Sequence, residues 1–262
     1  EEAAIIRLRD ALLALNTGET LIYLGRYPEA LEAFDLSLAL QPTGNTSVVF
    51  KCLALWLWKG RESLSETRAL LEATTLSPGD PFFRLFRVRQ FLYEGQPEQV
   101  IEFLQRSTGE DWIRTSDETF PRSLLAGMAL ELAGRNDEAH AAYAEAVEKL
   151  EAETRRTPDD FRLPGPLGIA LAGLGRRDDA TLAAQRGVEM MPLSKDALLG
   201  PVRLWELAVV YAKVGEADAA VDQLETLLDF TGIYSVPLIE MDPLWDPLRD
   251  HPRFQALLRQ KR

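Results

Sequence analysis

Cysteine and histidine are almost absent: one Cys and two His stand among 262 residues. A lone Cys52 excludes an internal disulfide framework, and its place on an apolar helical stretch predicts a buried, inert thiol. His140 and His251 lie far apart with no Cys or His at ligand spacing, which excludes a zinc site built on them. No nucleophile, base and orienter can be assembled from spacing, so neither an enzyme nor a bound cofactor or metal is expected. The glycine-rich string Gly165-Pro166-Leu167-Gly168 follows no strand, against a dinucleotide loop. Asp229-Phe230-Thr231 matches a kinase metal-binding triplet only superficially, since no other kinase motif accompanies it. Long apolar runs are missing as well. Nothing approaches the roughly 18 to 20 apolar residues of a membrane span, and the aromatic-rich run Leu53 to Trp58 has the length of a core helix segment. Glu1-Glu2-Ala3-Ala4 has no basic n-region and no initiating Met, so it reads as a piece of a longer protein and not as a signal peptide. Positive charge is the last scarcity: 29 Lys and Arg face 41 Asp and Glu, a net −12. Phosphate contacts need clustered cations, so nucleic acid and anionic membrane are excluded as partners, and a neutral or basic protein or peptide is favoured.

What the chain does have is a repeated signal. Glycine, a polar residue, a brief turn and a small residue opening an apolar helical stretch recur at Gly25, Gly60, Gly95, Gly134, Gly175 and Gly215, with gaps of 35, 35, 39, 41 and 40 residues. A period of about 34 residues or slightly more, with a mid-repeat glycine, marks helix-turn-helix units that bury their apolar faces only against neighbours. Ala, Leu, Glu and Arg dominate the helical stretches, so an all-α fold follows.

In the first repeat, helix A runs from Ala11 to Leu24 and helix B from Pro28 to Leu40, with Pro42 closing the unit. Gly18, Ala30, Phe34 and Pro42 reproduce the spacing of the tetratricopeptide repeat, which this segment resembles. A side chain larger than methyl at Gly18 or Ala30 would push crossing helices apart, and Phe34 fills the space beside the crossing. The pattern returns at Gly127, Leu130, Gly134, Ala139, Tyr143 and Ala146, again at Gly168, Gly175, Ala180, Gly187 and Pro192, and at Ala208, Tyr211, Gly215, Ala220 and Leu224. Repeats two and three are degenerate: Leu53 replaces the crossing glycine, and Phe82-Phe83-Arg84-Leu85-Phe86-Arg87 opens the third. Boundaries fall at 1–42, 43–79, 80–109, 110–158, 159–193 and 194–231. Ser63 and Glu66 fit a capping box opening a helix B. Pro28, Pro81 and Pro97 sit where first-turn prolines are tolerated. Residues 107 to 120, with Ser107, Thr108, Gly109 and Ser116, read as a polar loop, and the following helix B extends to about Arg156 before Thr157-Pro158 stops it.

Residues 232 to 262 depart from the repeat. Pro237, Pro243, Pro247 and Pro252 predict an irregular apolar strap, and Phe254, Leu257 and Leu258 predict a final helix to about Gln260 that caps the array. The runs Met191 to Ala197, Tyr211 to Glu216 and Asp242 to Phe254 resemble the C-terminal end of bacterial tetratricopeptide arrays. Similar tails follow kinase, adenylate cyclase and winged-helix modules of multidomain regulators. The resemblance implies a right-handed, all-α superhelical solenoid of about six helix pairs spanning 1–262 as one array, serving as a sensory or scaffolding arm.

A solenoid binds in its concave groove, lined by helix A residues. Carrying the family's groove positions onto this chain selects Tyr23, Phe50, Trp58, Phe82, Arg89, Tyr93, Glu131 and Trp205, with aromatics and Arg as the usual anchors and core packing as the competing role. The Lys and Asn clamp of chaperone-tail binders is disfavoured, because of three asparagines only Asn16 lies in a helix A. Residues 110 to 160 carry a net −7 and 216 to 250 a net −8, which reads as solvated helix faces or as a patch for a basic partner. Arg84, Arg87 and Arg89 read as solvated. The resulting expectation is a protein or peptide interaction module. A small-ligand sensor controlling an attached effector and a self-association module (a homo-oligomer) are the rivals. Without a targeting segment the default compartment is the cytoplasm, or the periplasm if a membrane helix precedes this segment.

Overall fold

Six glycines carry positive φ among the described residues: Gly25, Gly60, Gly95, Gly134, Gly175 and Gly215, the same six that mark the sequence repeat. The computed structural model describes residues 2–74, 80–106, 111–230 and 232–261, with side chains from Ile6 onward. Each of these glycines ends one helix and opens the next. The backbone at Gly25, Gly134, Gly175 and Gly215 closes the preceding helix with a paired 6→1 bond, as in Arg26 N–H to Leu21 O at 2.9 Å and Arg135 N–H to Leu130 O at 2.9 Å. The fold is all-α and tetratricopeptide-like: α1 (Glu2–Tyr23) and α2 (Tyr27–Leu40), α3 (Asn45–Lys59) and α4 (Leu64–Ala73), α5 (Pro81–Tyr93) and α6 (Pro97–Arg106), α7 (Arg122–Leu132) and α8 (Asn136–Arg156), α9 (Pro164–Gly173) and α10 (Arg177–Met190), α11 (Gly200–Val214) and α12 (Ala217–Phe230). No helix among the described residues is long and apolar enough to cross a membrane.

The chain divides into two compact units, residues 1–94 with 228–242, and residues 95–227 with 243–262. In the first, the crossing of α1 and α2 is set by Gly18 against the ring of Phe34, with Ala30 and Phe34 fully buried. The second pair lacks that glycine and relies on aromatic packing. Trp56 stacks on Phe86 at 5.1 Å and meets Tyr93 edge-on at 5.1 Å. Its indole N–H donates to Thr67 Oγ1 at 3.2 Å, and that hydroxyl lies 2.7 Å from Gln90 Oε1, so the buried polar groups are satisfied in a chain. The expected capping box at Ser63 does not form. Gly60–Ser63 is a 3-10 turn running directly into α4, Ser63 is already in helical conformation, and its hydroxyl donates to Gly60 O at 2.7 Å.

Segment 232–242 returns to this first unit and crosses the ends of its A helices. Gly232 N–H donates to Tyr23 O at 3.2 Å, Tyr27 OH donates to Gly232 O at 2.7 Å, and Ser235 Oγ–H donates to Leu57 O at 2.6 Å. Arg61 donates to the carbonyls of both Tyr93 and Met241 at 3.4 Å. Part of the expected irregular strap is helical: α13 (Val236–Met241) is capped by Ser235 and tolerates Pro237 because it sits in the first turn. Leu238 and Met241 join the buried core of the unit.

In the second unit, Gly127 and Gly173 flank the ring of Tyr143, and Gly168 lies against Ala180 and Ala184, so the crossings in these repeats follow the small-residue pattern. The expected polar loop before α7 is in part a hairpin, β1 (Trp112–Arg114) antiparallel to β2 (Thr119–Pro121), while Ser107, Thr108 and Gly109 lie outside the described residues. Ile113 and Phe120, paired across the hairpin, are both buried, which turns the segment inward. Arg203, fully buried, holds the hairpin turn by donating to Asp117 O at 2.7 Å and to Phe161 O at 3.0 Å, and Arg162 donates to Thr115 O at 2.9 Å. Arg203 Nε also lies 3.2 Å from the buried Glu206 Oε2, whose side chain packs on Gly165. Residues 243–248 form a 3-10 turn that seats Trp245 edge-on against Trp205 at 4.7 Å. The capping helix α14 (Pro252–Gln260) buries Phe254, Leu257 and Leu258. Its Arg253 holds Asp218 at 2.9 Å and Asp222 at 2.7 Å on α12.

Candidate functional site

The A helices of the first unit leave an open cleft at their N-terminal ends. Leu8, Leu12 and Leu15 recur at i, i+4 and i+7 on α1, a spacing that puts them in one stripe. Ala11 and Ala14, one step around the helix, are buried instead. Leu8 and Leu12 remain 47% and 48% exposed, so that end of the stripe faces solvent, while Leu15 packs half-buried against the core. Opposite stand Phe50 on α3 and Phe82 on α5, both half-buried. Phe50 is held by stacking on Phe34 with ring centroids 6.3 Å apart. The enclosed space is about 390 Å³ and is closed at one end by the α2–α3 turn, with Gln41, Asn45 and Ser47 contributing polar atoms. That volume lies in the range of sites that take a small molecule or one anchoring stretch of a peptide.

Two buried hydroxyls form the floor. Ser37 Oγ–H donates to Ala11 O at 2.9 Å, and the Ser37 and Ser47 oxygens are 2.8 Å apart. One proton per hydroxyl then makes Ser47 the donor to Ser37. Asp80 stands at the rim as the N-cap of α5, accepting from Phe83 N–H at 2.9 Å. Among the described residues it is the only charged one lining the cleft.

Of the eight residues expected in the groove, the structure brings two together here, Phe50 and Phe82. The others are placed differently. Tyr93 is buried at 5% exposure edge-on to Trp56, so its role is core packing, because α5 turns that edge toward α3. Tyr23 is half-buried at the end of α1, where its carbonyl receives segment 232–242. Trp58 is exposed with Lys59 Nζ 5.0 Å from its ring centroid, away from the cleft lining. Arg89 is half-buried with its guanidinium 5.8 Å from the Phe86 ring. Glu131 and Trp205 belong to the second unit. Glu131 Oε2 accepts from Tyr143 OH and from Lys213 Nζ, each at 2.5 Å, which ties α7, α8 and α11 together. Trp205 packs against Trp245. The expectation of solvated arginines also needs correction. Arg84 is buried at 3% because it shares a helix face with Val88, and desolvation lowers the half-buried Arg87 below the usual guanidinium range.

Sequence reasoning missed Leu8, Leu12, Leu15, Ser47 and Asp80. The signal for the leucines was present as helical spacing on α1. The polar liners sit in the α2–α3 turn and at an N-cap, positions that no groove pattern singles out.

No family model matches the chain, and no curated protein matches its sequence. Among solved structures it is similar to PilW, a type IV pilus biogenesis factor, at TM-score 0.47 and 15% identity over 88% of this chain and 97% of that one. It is also similar to the TPR2AB domain of yeast Sti1 in its pHSP90 complex, at TM-score 0.39 and 16% identity over 96% and 98%. A third is MamA from Desulfovibrio magneticus RS-1, at TM-score 0.28 and 15% identity over 84% and 94%.

Proposed function

We propose that this chain is a protein or peptide interaction module whose partner docks along the A-helix face of the first unit. The observation that carries this reading is the solvent-facing stripe of Leu8 and Leu12 opposite Phe50 and Phe82, since exposed apolar surface at a built concavity marks interaction sites. This reading takes Phe50 and Phe82, which line the cleft, as its anchors, and the burial of Tyr93 favours a packing role for that residue. The repeat pattern across the chain supports one array acting as a scaffold or sensor arm of a bacterial regulator in the cytoplasm. The test is partner capture from the source organism with the wild-type chain and with a Leu12→Asp, Phe82→Ser variant. A partner retained by the first and lost by the second, with the melting temperature unchanged, is the expected result. Identical capture by both chains would refute this docking face.

The volume of the cleft, about 390 Å³, favours one second reading, a small-ligand sensor. Under it, a metabolite would raise the melting temperature of the wild type and not of the variant, by mass action on the native state.

A further inference from the structure

We propose that the cleft between α1, α3 and α5 recognises one lysine or arginine side chain of a partner peptide, its apolar stem on Leu8, Leu12 and the phenylalanines and its cationic head on Asp80. The inference rests on the reading of this cleft as the partner site and adds the chemistry of what enters it.

Three features of the lining lead to that chemistry. Among the described residues the only ionised side chain there is Asp80, and no Lys or Arg lines the space. One oxygen of Asp80 is committed to the Phe83 N–H, and among the described residues the other has no partner. The floor is polarised in the same sense: because Ser37 gives its proton to Ala11 O and Ser47 gives its own to Ser37, the Ser47 oxygen is left as an acceptor. A bound anion would meet the Asp80 carboxylate with no cation to balance it. A purely apolar side chain would strip water from that carboxylate and from the Ser47 oxygen without returning a donor, which costs free energy. Lysine and arginine resolve both problems, since a long apolar stem covers leucine surface while the head remains a donor. The two phenylalanine rings add a favourable face for a cation. A charge-assisted bond to the carboxylate contributes more than a neutral one. The net charge of −12 draws cationic segments toward the chain at a distance.

The experiment uses the full chain, uniformly labelled with 15N, and three capped nine-residue peptides of leucine and serine that differ only at the central position: arginine, norleucine or glutamate. The expected result is a shift of the amide signals of Asn45, Ser47 and Phe82, with the arginine peptide bound about tenfold more tightly than the norleucine peptide. The glutamate peptide should bind weakest. Asp80→Asn keeps a side-chain oxygen to cap α5 and removes only the charge. It should abolish the arginine preference at an unchanged melting temperature. If Asp80→Asn lowers the melting temperature, Asp80→Ser, another good cap, replaces it in the same comparison. Equal binding of the arginine and norleucine peptides at these signals would overturn the cation preference and leave the cleft as a partner site. An arginine preference that survives both Asp80 variants would overturn the role given to Asp80. No shift at these signals with any peptide would overturn the cleft itself, and with it the proposed docking face.

Discussion

The carbonyl oxygen of Pro237 lies 2.8 Å from the position a Cβ on Gly60 would take, and Gly60 itself has φ +54°. At Gly25, Gly95, Gly134 and Gly175 the same added carbon meets nothing within 4 Å. The turn glycine of the second helix pair therefore answers two demands, a left-handed backbone and room for segment 232–242. The other four answer only the first. The neighbouring residue diverges with it. Arg26, Arg135 and Arg176 pair with an acid three residues on, whereas Arg61 reaches across to Tyr93 and Met241.

Substitution at these turns should separate the two demands. Gly134→Ala is expected to cost about 1 kcal/mol, the ordinary penalty for Ala at positive φ. Gly60→Ala should cost about 2 to 4 kcal/mol, because the methyl also displaces Pro237. Urea unfolding of both variants checks the order. Equal costs would mean that segment 232–242 does not rest on this turn in solution.

Tyr143 offers a second test, this time of helix crossing. Its ring is enclosed by Gly127 on α7 and Gly173 on α9, and a Cβ on Gly127 would sit 2.8 Å from the ring edge. Gly127→Ala is expected to destabilise by about 1 to 3 kcal/mol through overpacking. Combined with Tyr143→Leu, the two costs should add up to less than their sum, since the smaller residue yields space to the methyl. Full additivity would remove Tyr143 as the wall that Gly127 serves.

These crossings also show what the sequence made legible. Glycine at a crossing or at a positive-φ turn is required by sterics that no other side chain meets, so the six turns and the pairs around Gly18, Gly127 and Gly168 could be placed from spacing alone. Side-chain destination was less legible. Tyr93 and Phe82 are both aromatic residues of α5, and only the packing of Trp56 decides that one is core and the other rim. Pairing distant in sequence was not legible at all. The short hairpin 112–121 depends on Arg203 and Arg162, and the return of 232–242 depends on Tyr23, Leu57 and Arg61. The cleft fell between these cases, its leucine stripe periodic and visible, its serine floor and Asp80 cap fixed by turns.

Cys52 should report on unfolding of the first unit. It is fully buried in the core of that unit, and burial pushes its thiol up to about 12. At pH about 8 the native thiol is therefore almost entirely protonated as well as inaccessible, and a thiol-reactive dye should label it only through opening of the structure. The labelling rate is expected to rise steeply with urea, in step with loss of helical signal. Rapid labelling in buffer, before any change in helicity, would contradict the packing around α3.

The buried carboxyl of Glu206 makes stability depend on pH in a direction opposite to that of a paired surface acid. Burial pushes it up to about 8, against the pull of Arg203 and with further upward pressure from Glu118 and Asp117. Below the ordinary carboxylate range the group is protonated whether the chain is folded or not, and its contribution to stability is complete. As pH rises from about 5, the unfolded chain releases this proton while the fold still holds it, so stability falls until the folded group ionises near 8. Glu206→Gln preserves the volume against Gly165 and leaves Arg203 its bonds to Phe161 and Asp117, yet it has no proton to lose. The wild type should therefore lose several degrees of melting temperature between pH about 5 and about 8 that the Gln variant keeps. Arg203→Ala should be worse than either at every pH, by about 3 to 5 kcal/mol, because it removes the donor to the Asp117 and Phe161 carbonyls and leaves the buried Glu206 without its partner. Parallel melting curves for wild type and Glu206→Gln across that window would assign the titration to another group and leave the Arg203 pair ionised throughout.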